Sequence, residues 1–351
     1  MQKITLHKVG PIDDCQMDVQ RFTVLTGSQA SGKSTIAKAI FFFRTIAQDV
    51  IGQMQTRNLA DTYRTTLEND LKKRLRNKFL QIFGSSWAMP QEMKLRYEYA
   101  RWVTIELYLV PDRNALYRNF VDFQFGEKIV DFLKKYDDYV EQTWDEQSWK
   151  DVQREINELF SDGYETIYVP AGRSLITLLT DQLVSILSSD EGRSLDFCMQ
   201  AYVRRILSLR SQIRGGFSHL LDEVLHTTQI KVDRETLRYM ERLMKKVLHV
   251  RYSYDRGEEQ LFFDDHRYVK INFSSSGQQE AIWVFNILYF YLLQNQKVFL
   301  IVEEPEAHLY PDSQKGIAEA IGLFAGVGNQ VFVTRNALGF FGCEFFHQGA
   351  D

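Results

Sequence analysis

The chain has 351 residues, a length that favours two domains or one large domain. The formal net charge of −4 excludes a strongly basic protein held to nucleic acid by bulk charge, and 44% hydrophobic residues argue against disorder as the main state. The longest apolar stretch, 281–293, is shorter than the ~20 residues that span a bilayer, and the first residues do not resemble a signal peptide. Three distant cysteines predict neither a disulfide framework nor a zinc site, so we expect a globular protein of the reducing cytoplasm without a membrane segment.

The first 50 residues predict two short strands, a glycine-rich turn and a helix. The strands are 4–9 and 22–26, with a turn at Gly10 and Pro11 and a polar link over 13–20 between them. The glycine-rich turn fits the pattern G-x-x-x-x-G-K-[ST] and opens the helix. Its residues are Gly27, Ser28, Gln29, Ala30, Ser31, Gly32, Lys33 and Ser34.

Such a turn is typical of a phosphate-binding loop. Its glycines let successive backbone N–H groups face one anion, and the start of the helix adds partial positive charge. Lys33 would reach the β- and γ-phosphates of a nucleotide, and Ser34 would offer its hydroxyl to Mg²⁺. The alternative is an ordinary Gly/Ser turn before a helix, although chance produces this pattern in only about one chain in a hundred of this length.

The middle of the chain predicts mostly helices. Apolar residues at 67, 71, 75, 79 and 82 indicate an amphipathic helix over 60–83. Further along, the patterns predict strands over 102–110 and 117–125, helices over 127–160, a short strand over 166–170 and several helices over 174–248.

The last hundred residues predict a three-stranded meander, a long apolar helix, and two strands with a helix between them. The meander covers 250–255, 260–265 and 268–273, the apolar helix covers 280–293, and the two strands cover 298–302 and 330–334. A Ser/Gly turn, 274–280, opens the apolar helix. It is either a second anion-binding turn, which would serve the nucleotide of a partner subunit, or a plain helix N-cap.

The strand over 298–302 ends in carboxylates. Five apolar residues followed by acids suit a buried parallel strand whose carboxyl end meets a nucleotide. We predict that Glu303 holds Mg²⁺ and that Glu304 positions or deprotonates the attacking water. Adjacent strand residues point to opposite faces, so Glu304 must lie where the strand has turned, with Pro305 helping to fix the turn. The alternative is a solvated acidic turn.

Three motifs in this order carry a resemblance. GSQASGKST (27–35), FSSSGQQE (273–280) and LIVEEPEAHLYP (300–311) resemble the ABC-type ATPases of the SMC/RecF/OLD group, in particular bacterial AAA family ATPases with an OLD-like ATPase domain. YVPAGRS (168–174) resembles a further element of that group. The resemblance implies an α/β P-loop NTPase fold with a mixed-sheet core, formed by 1–55 and 250–351. An inserted, mostly helical lobe would cover 56–249, with a β-hairpin near 101–125.

The resemblance also implies roles for residues. Lys33, Ser34 and Thr35 would bind phosphate and Mg²⁺, and Glu303 and Glu304 would keep the roles given above. The turn residues that would contact the γ-phosphate of the opposite protomer are Ser275, Ser276 and Gly277. ATP and Mg²⁺ are then the cofactors, and two chains would form a head-to-tail homodimer around ATP. The output would pass through a protein partner or nucleic acid, in DNA repair or in defence against phages and mobile elements. The alternative is a nucleotide-switched adaptor that hydrolyses little ATP and regulates an effector.

Other residues have two interpretations. Arg173 faces either a phosphate or, as we favour, a structural ion pair. His308 lies either at the dimer interface or on a surface turn. The basic segments 72–78 and 204–214 either contact a phosphate backbone or, as we favour, form solvated helix faces.

The sequence departs from the group after the strand over 330–334. The group usually places there a histidine that contacts the γ-phosphate, whereas this chain has Arg335. Losing one donor from a preorganised site typically costs ~10²–10³ in rate. We therefore expect ATP binding with weak hydrolysis, unless Arg335 substitutes as a cation. The phenylalanines of the tail, Phe340, Phe341, Phe345 and Phe346, predict poor solubility or dependence on a partner.

Overall fold

The computed structural model describes most of the chain. The described residues are 2–58, 65–86, 89–111, 119–137, 145–161, 163–178, 195–213, 216–227, 233–255, 257–263 and 267–336. Their strands form two larger sheets and one small sheet. In these ranges we find no helix that is both long and apolar enough to cross a membrane.

The amino-terminal strands begin a five-stranded antiparallel sheet. In spatial order its strands are β2 (Ile12–Val19), β1 (Gln2–Val9), β4 (Lys94–Ala100), β5 (Val103–Val110) and β6 (Phe120–Phe125). Buried residues alternate with more exposed ones along β4 and β5, as expected for a sheet that covers a core with one face. The predicted polar link over 13–20 is wrong, because most of it is strand β2. This strand lies at the sheet edge, where charged residues are common and few apolar ones are needed.

The second sheet has four parallel strands. In spatial order they are β3 (Phe22–Gly27), β12 (Gln330–Asn336), β11 (Val298–Glu303) and β7 (Glu165–Val169). The register pairs Thr334 with Leu25 on one side and with Glu303 on the other. The glycine-rich turn after β3 and the glutamates after β11 therefore lie at the same edge of the sheet.

Eleven helices are described. They are α1 (Lys33–Arg44), α2 (Ile46–Asn58), α3 (Leu67–Phe83), α4 (Glu127–Asp137), α5 (Glu146–Leu159), α6 (Ser174–Leu178), α7 (Phe197–Gln212), α8 (Phe217–Thr227), α9 (Arg234–Leu248), α10 (Ser276–Leu293) and α11 (Pro311–Gly326). Side chains of Thr66, Asp196 and Asp233 cap α3, α7 and α9. Helix α10 is apolar on nearly every side because it is buried on nearly every side.

The parallel sheet is the middle layer between two hydrophobic cores. Phe299 and Ile301 of β11 belong to the core that contains α1 and the antiparallel sheet. Leu300 and Val302 belong to the core that contains α9, α10 and α11. Because side chains alternate along a strand, the next residue, Glu303, points to the same face as Ile301 and therefore towards α1.

The small third sheet is an antiparallel meander, as the sequence predicts. Its strands are β8 (Arg251–Asp255), β9 (Glu258–Phe262) and β10 (Tyr268–Lys270). A short 3₁₀ turn, Ile271–Phe273, joins it to α10.

Strands inside the predicted lobe pair with strands of the predicted core. Within 56–249, β4 pairs with β1, and β7 pairs with β11. Four strands of the predicted lobe thus belong to sheets that also contain strands of the predicted core. No strand was predicted over Lys94–Ala100, and the partner of any strand is a non-local property that its own sequence pattern does not contain.

Candidate functional site

The glycine-rich turn joins β3 to α1 in the way its pattern predicts. Helix α1 begins at Lys33, and Gly32 before it has a φ of 93°, in the left-handed region. A Cβ on Gly32 would lie 2.6 Å from Cγ1 of Ile12, because the turn packs against the β1–β2 connection. Conformation and space both require glycine at this position.

Lys33 is folded over the turn. Its ammonium group donates to the carbonyl oxygens of Gly27 at 2.9 Å and Ser28 at 2.6 Å, and the residue is buried. Ser34 is exposed at the start of α1, whereas Thr35 is half-buried beside Gly10. The Ser34 hydroxyl is therefore exposed where α1 begins, whereas the Lys33 ammonium is held by the backbone of the turn.

Glu303 is buried at the end of β11, on the face of the sheet that carries α1. One carboxylate oxygen accepts a hydrogen bond from the Tyr168 hydroxyl at 2.6 Å, and the other accepts from the Ala171 N–H at 3.2 Å. Burial and the Glu303 charge raise the pKa of Tyr168 well above its usual value. Burial lowers the pKa of Lys38 on α1, but Asp196 and, more weakly, Glu303 raise it, so that the pKa lies above its ordinary value. The charge of Glu303 thus favours the protonated form of a lysine on α1, the helix that begins at the glycine-rich turn.

Glu304 lies just beyond the strand, where the chain has turned as predicted. Its φ is 42°, and its N–H donates to the carbonyl of Thr334 at 2.9 Å. The residue is half-buried, and its carboxylate forms no hydrogen bond or ion pair with the described part of the chain. Of the two adjacent glutamates, one is therefore held on both oxygens and the other has a carboxylate without a partner among the described residues.

Arg173 is completely buried and forms the structural ion pair that the sequence favours. Its Nε lies 3.2 Å from a carboxylate oxygen of Glu280 and donates to the Glu280 carbonyl at 3.0 Å. Its other nitrogens donate to the carbonyls of Glu303 at 2.6 Å, Glu304 at 3.2 Å and Pro170 at 2.9 Å. Arg173 therefore connects the first turn of α10 to the backbone of both glutamates.

The Ser/Gly turn forms the N-cap of α10, and its contact with the nucleotide of a partner subunit stays a prediction. The Ser275 hydroxyl accepts from the Gln278 N–H at 3.3 Å, and the Gln278 amide oxygen accepts from the Ser275 N–H at 3.2 Å. This reciprocal capping box leaves Ser275 and Ser276 exposed. No hydrogen bond joins this turn to residues 27–35 within the described ranges.

Exposed aromatic side chains surround the Ser/Gly turn. Phe273 is 76% exposed directly before the turn, and Tyr310 is 83% exposed after the acidic segment. A Cβ on Gly277 would lie 3.0 Å from the carbonyl oxygen of His308, an exposed residue. Phe273, the start of α10 and Tyr310 therefore form one exposed face.

The predicted solvated face of the basic segment 72–78 is wrong for most of its charges. Lys78 is buried and forms an ion pair with Asp49, which Arg74 also contacts. Lys72 pairs with Glu68, and Arg76 lies over the ring of Phe120. These partners come mostly from distant segments, so helix periodicity alone does not reveal them. In the second basic segment, Arg205 pairs with Glu165 and Arg210 pairs with Glu259.

Tyr168 and Glu280 are site residues that the sequence reasoning did not assign. Both stand inside motifs that were recognised, YVPAGRS and FSSSGQQE, and the position within those motifs was the available signal. The sequence does not reveal the role of Glu280, because the function of a carboxylate inside an apolar helix depends on its partner, here Arg173.

Beyond β11, Glu306 meets the end of β12. Arg335 lies near Glu306, with 3.8 Å between Nε and the carboxylate oxygen. The Asn336 N–H donates to the same carboxylate at 3.3 Å. Predictions about the tail, including those for Phe340, Phe341, Phe345 and Phe346, concern residues outside the described ranges.

The residues at the sheet edge fit a nucleotide with Mg²⁺. The buried oxygens Oγ1 of Thr334 and Oδ1 of Asn336 have no hydrogen-bond partner among the described residues. We find no cluster of three or more His, Cys, Asp or Glu side chains suited to a metal in the same part of the chain. A single carboxylate and a hydroxyl are nevertheless what Mg²⁺ takes from a protein when phosphates and waters supply its other ligands.

A family profile and several solved structures match this chain. The profile, described as AAA ATPase domain, matches residues 1–334. One similar solved structure is an SMC head bound to the C-winged helix domain of ScpA, with 13% identity, a TM-score of 0.42 and coverage of 95% of this chain and 88% of that chain. Another is an SMC head domain with an extended coiled coil, bound to the C-terminal domain of ScpA derived from Pyrococcus furiosus, with 13% identity, a TM-score of 0.43 and coverage of 96% and 90%. A third is the SMC head domain from Thermotoga maritima, with 11% identity, a TM-score of 0.39 and coverage of 95% and 88%. No match was found among curated proteins.

Proposed function

We propose, since this chain belongs to the AAA ATPase domain family, that it binds ATP with Mg²⁺ at residues 27–35 and hydrolyses it slowly between two copies joined head to tail. The observation that carries the proposal is the sheet edge. The Lys33 ammonium, the exposed Ser34 hydroxyl, the buried Glu303 and the free Glu304 carboxylate all lie where β3 and β11 end.

The glycine-rich turn would hold the phosphates. In our proposal its backbone N–H groups surround them, and Lys33 exchanges its two carbonyl contacts for phosphate oxygens. The proposed phosphate-binding residues are Gly27, Ser28, Gln29, Ala30, Ser31, Gly32, Lys33, Ser34 and Thr35.

Ser34 and Glu303 would hold Mg²⁺. The ion would neutralise charge that develops on the phosphate oxygens during hydrolysis. Each oxygen of Glu303 accepts one hydrogen bond and keeps a further lone pair, so Tyr168 and Ala171 can orient the carboxylate while it binds.

Glu304 is our candidate for positioning the attacking water. Its carboxylate has no partner in the described part of the chain, and the left-handed backbone turns it away from the strand direction. A carboxylate in hydrogen-bond reach of water can orient it or accept its proton.

The second copy would contribute its Ser/Gly turn. Ser275, Ser276 and Gly277 would contact the γ-phosphate bound by the other protomer, through the exposed start of α10. Phe273 and Tyr310 support this arrangement, because large exposed aromatic side chains around a turn are typical of a surface that a partner covers.

A nucleotide-switched adaptor is the second candidate function. The observation that favours it is Arg335, which stands where the group usually has histidine and lies near Glu306. In either case we propose an effector protein or nucleic acid as the partner, with DNA repair or antiviral defence as the setting.

ATP titration by calorimetry tests the phosphate-binding assignment. Lys33→Ala should abolish measurable ATP binding, because it removes the cation that the site offers to the phosphates. Lys73→Ala is the matched control, since Lys73 is an exposed lysine on α3 without an ion pair in the described residues. ATP affinity of Lys33→Ala within a few-fold of the parent protein would contradict the assignment.

A further inference from the structure

Helix α9 carries a row of positive charges on its outer face. Arg234, Arg238, Arg242 and Lys245 follow at intervals of four, four and three, and Lys246 lies beside the last; we call these five residues the basic stripe. At ~100° per residue the first four fall in a sector of about 80°, opposite the apolar residues that bury the helix. All five are exposed, and they extend over about 18 Å.

Most cations of the basic stripe have no acidic partner among the residues that the structure describes. Arg234, Arg238 and Lys246 form no ion pair with the part of the chain that the structure describes. Helix α9 contains only two acidic residues, Glu235 and Glu241, and Glu241 accepts a hydrogen bond from the Tyr289 hydroxyl at 2.6 Å. This differs from the basic segments 72–78 and 204–214, several of whose charges have acidic partners. In a protein of net charge −4, such a concentration of exposed cations marks a surface for a polyanion.

We propose that the basic stripe binds the phosphate backbone of duplex nucleic acid. Cations about 6 Å apart along a straight helix match a row of phosphates, and arginine contacts phosphate oxygens with two parallel N–H groups. Single strands are bound mainly by aromatic stacking, but only Tyr239 among the large exposed apolar residues lies on α9, and Arg242 covers its ring at 5.3 Å. The same lack of apolar side chains argues against a lipid surface.

The basic stripe is connected to the proposed nucleotide site. The Gln278 side chain, which completes the capping box of Ser275, donates to the carbonyl of Leu248 at the end of α9 at 2.8 Å. On its other side α9 packs closely against α11, since a Cβ on Gly316 of α11 would lie only 2.4 Å from Cγ2 of Val247. Nucleic acid held by α9 would therefore act on the turn that we propose to contact the partner's γ-phosphate. This inference deepens the proposed function by naming its partner, but the binding itself requires no ATP.

Fluorescence anisotropy of a labelled duplex over a range of salt concentrations, without nucleotide, tests the proposal. The triple variant Arg234→Ala/Arg238→Ala/Arg242→Ala should bind the duplex about tenfold or more weakly. The slope of log affinity against log salt should fall by about 0.9 for each lost phosphate contact. The control Lys73→Ala/Lys128→Ala/Lys134→Ala removes the same charge from exposed lysines of α3 and α4 and should retain the parental slope.

Three outcomes would overturn the proposal. They are a parent protein that does not bind the duplex, equal slopes for the two triple variants, and displacement of the duplex by poly-glutamate as efficiently as by unlabelled duplex. The last result would assign the basic stripe to an acidic protein segment. Thermal unfolding of both triple variants checks that they are folded. Lys33→Ala should bind the duplex like the parent protein, so a failure of the ATP-binding proposal is distinguishable from a failure of this one.

Discussion

At the scale of single residues, the two adjacent glutamates after β11 have different surroundings. Tyr168 and Ala171 fix both oxygens of Glu303, which suits a residue that orients an ion. Glu304 has a left-handed backbone and a carboxylate without a partner in the described residues, which suits a residue that acts on a mobile water. The change of backbone direction between them, rather than their chemistry, separates the two proposed roles.

Glu304→Gln should therefore keep ATP binding and trap the closed dimer, because amide for carboxylate removes the water-positioning group but leaves the proposed metal ligand. Sedimentation velocity with ATP and Mg²⁺ measures the dimer. Glu127→Gln, an exposed glutamate at the start of α4, is the control and should behave like the parent protein. A Glu304→Gln variant that stays monomeric under saturating ATP would argue against the head-to-tail dimer.

Loss of the buried Arg173 should cost considerable stability. Removing one partner of a buried ion pair leaves an uncompensated charge and typically costs about 3–5 kcal/mol. Arg173→Met also leaves the carbonyls of Glu303, Glu304 and Pro170 without their donor. We expect a loss of this size in denaturant unfolding, and a coupling of about 0.5–3 kcal/mol with Glu280→Gln in a double-mutant cycle.

Lys150→Met is the control for that measurement. Lys150 pairs with Glu146 on the surface of α5, where an ion pair four residues apart contributes about 0.3–0.5 kcal/mol. If Arg173→Met destabilises no more than Lys150→Met, the buried pair does not hold the first turn of α10 to the end of β11.

At the scale of elements, sequence periodicity predicted most helices and strands, because an element that packs against a core with one face has apolar residues at regular intervals in its sequence. The exceptions have physical causes. Strand β2 is polar because it lies at a sheet edge. The position of β4 beside β1, and of Lys78 beside Asp49, depends on contacts between distant segments, which local periodicity does not encode. The proposed site was more predictable, because phosphate chemistry requires particular residues at fixed spacing after a strand.

Helix α10 gives the element-scale prediction. Ser275→Arg should still bind ATP as a monomer but fail to form the ATP-dependent dimer, because Ser275 is exposed and is proposed to act across the interface. Calorimetry measures ATP binding and sedimentation measures the dimer. Ser211→Arg, at an exposed serine near the end of α7, is the control and should still dimerise. A monomeric Ser275→Arg that loses ATP affinity would show that the turn acts within its own protomer.

At the scale of the whole molecule, the parallel sheet brings the proposed phosphate-binding turn and the two glutamates after β11 to one edge. Strand β3 comes from the amino-terminal part and β11 and β12 from the carboxy-terminal part, so the edge forms only when distant segments have paired. Hydrophobic cores cover both faces of this middle layer. Where β12 ends, Thr334 and Asn336 carry buried polar atoms that have no partner among the described residues. A ligand at this edge would stabilise the pairing of the segments.

Slow turnover is expected from the residues at the end of β12. Arg335 pairs in register with Thr26, one residue before the glycine-rich turn, and its guanidinium lies near Glu306. A cation held by a carboxylate is a poorer donor to the γ-phosphate than a free histidine would be. Steady-state phosphate release should therefore stay below ~1 per second, the low end for enzymes. Arg335→His should raise it by up to ~10²-fold, the typical gain from one donor in a preorganised site. Arg335→Gln separates the explanations, since a further loss of turnover in that variant would show that Arg335 already serves as the donor. Parental turnover at or above ~1 per second would contradict the prediction outright.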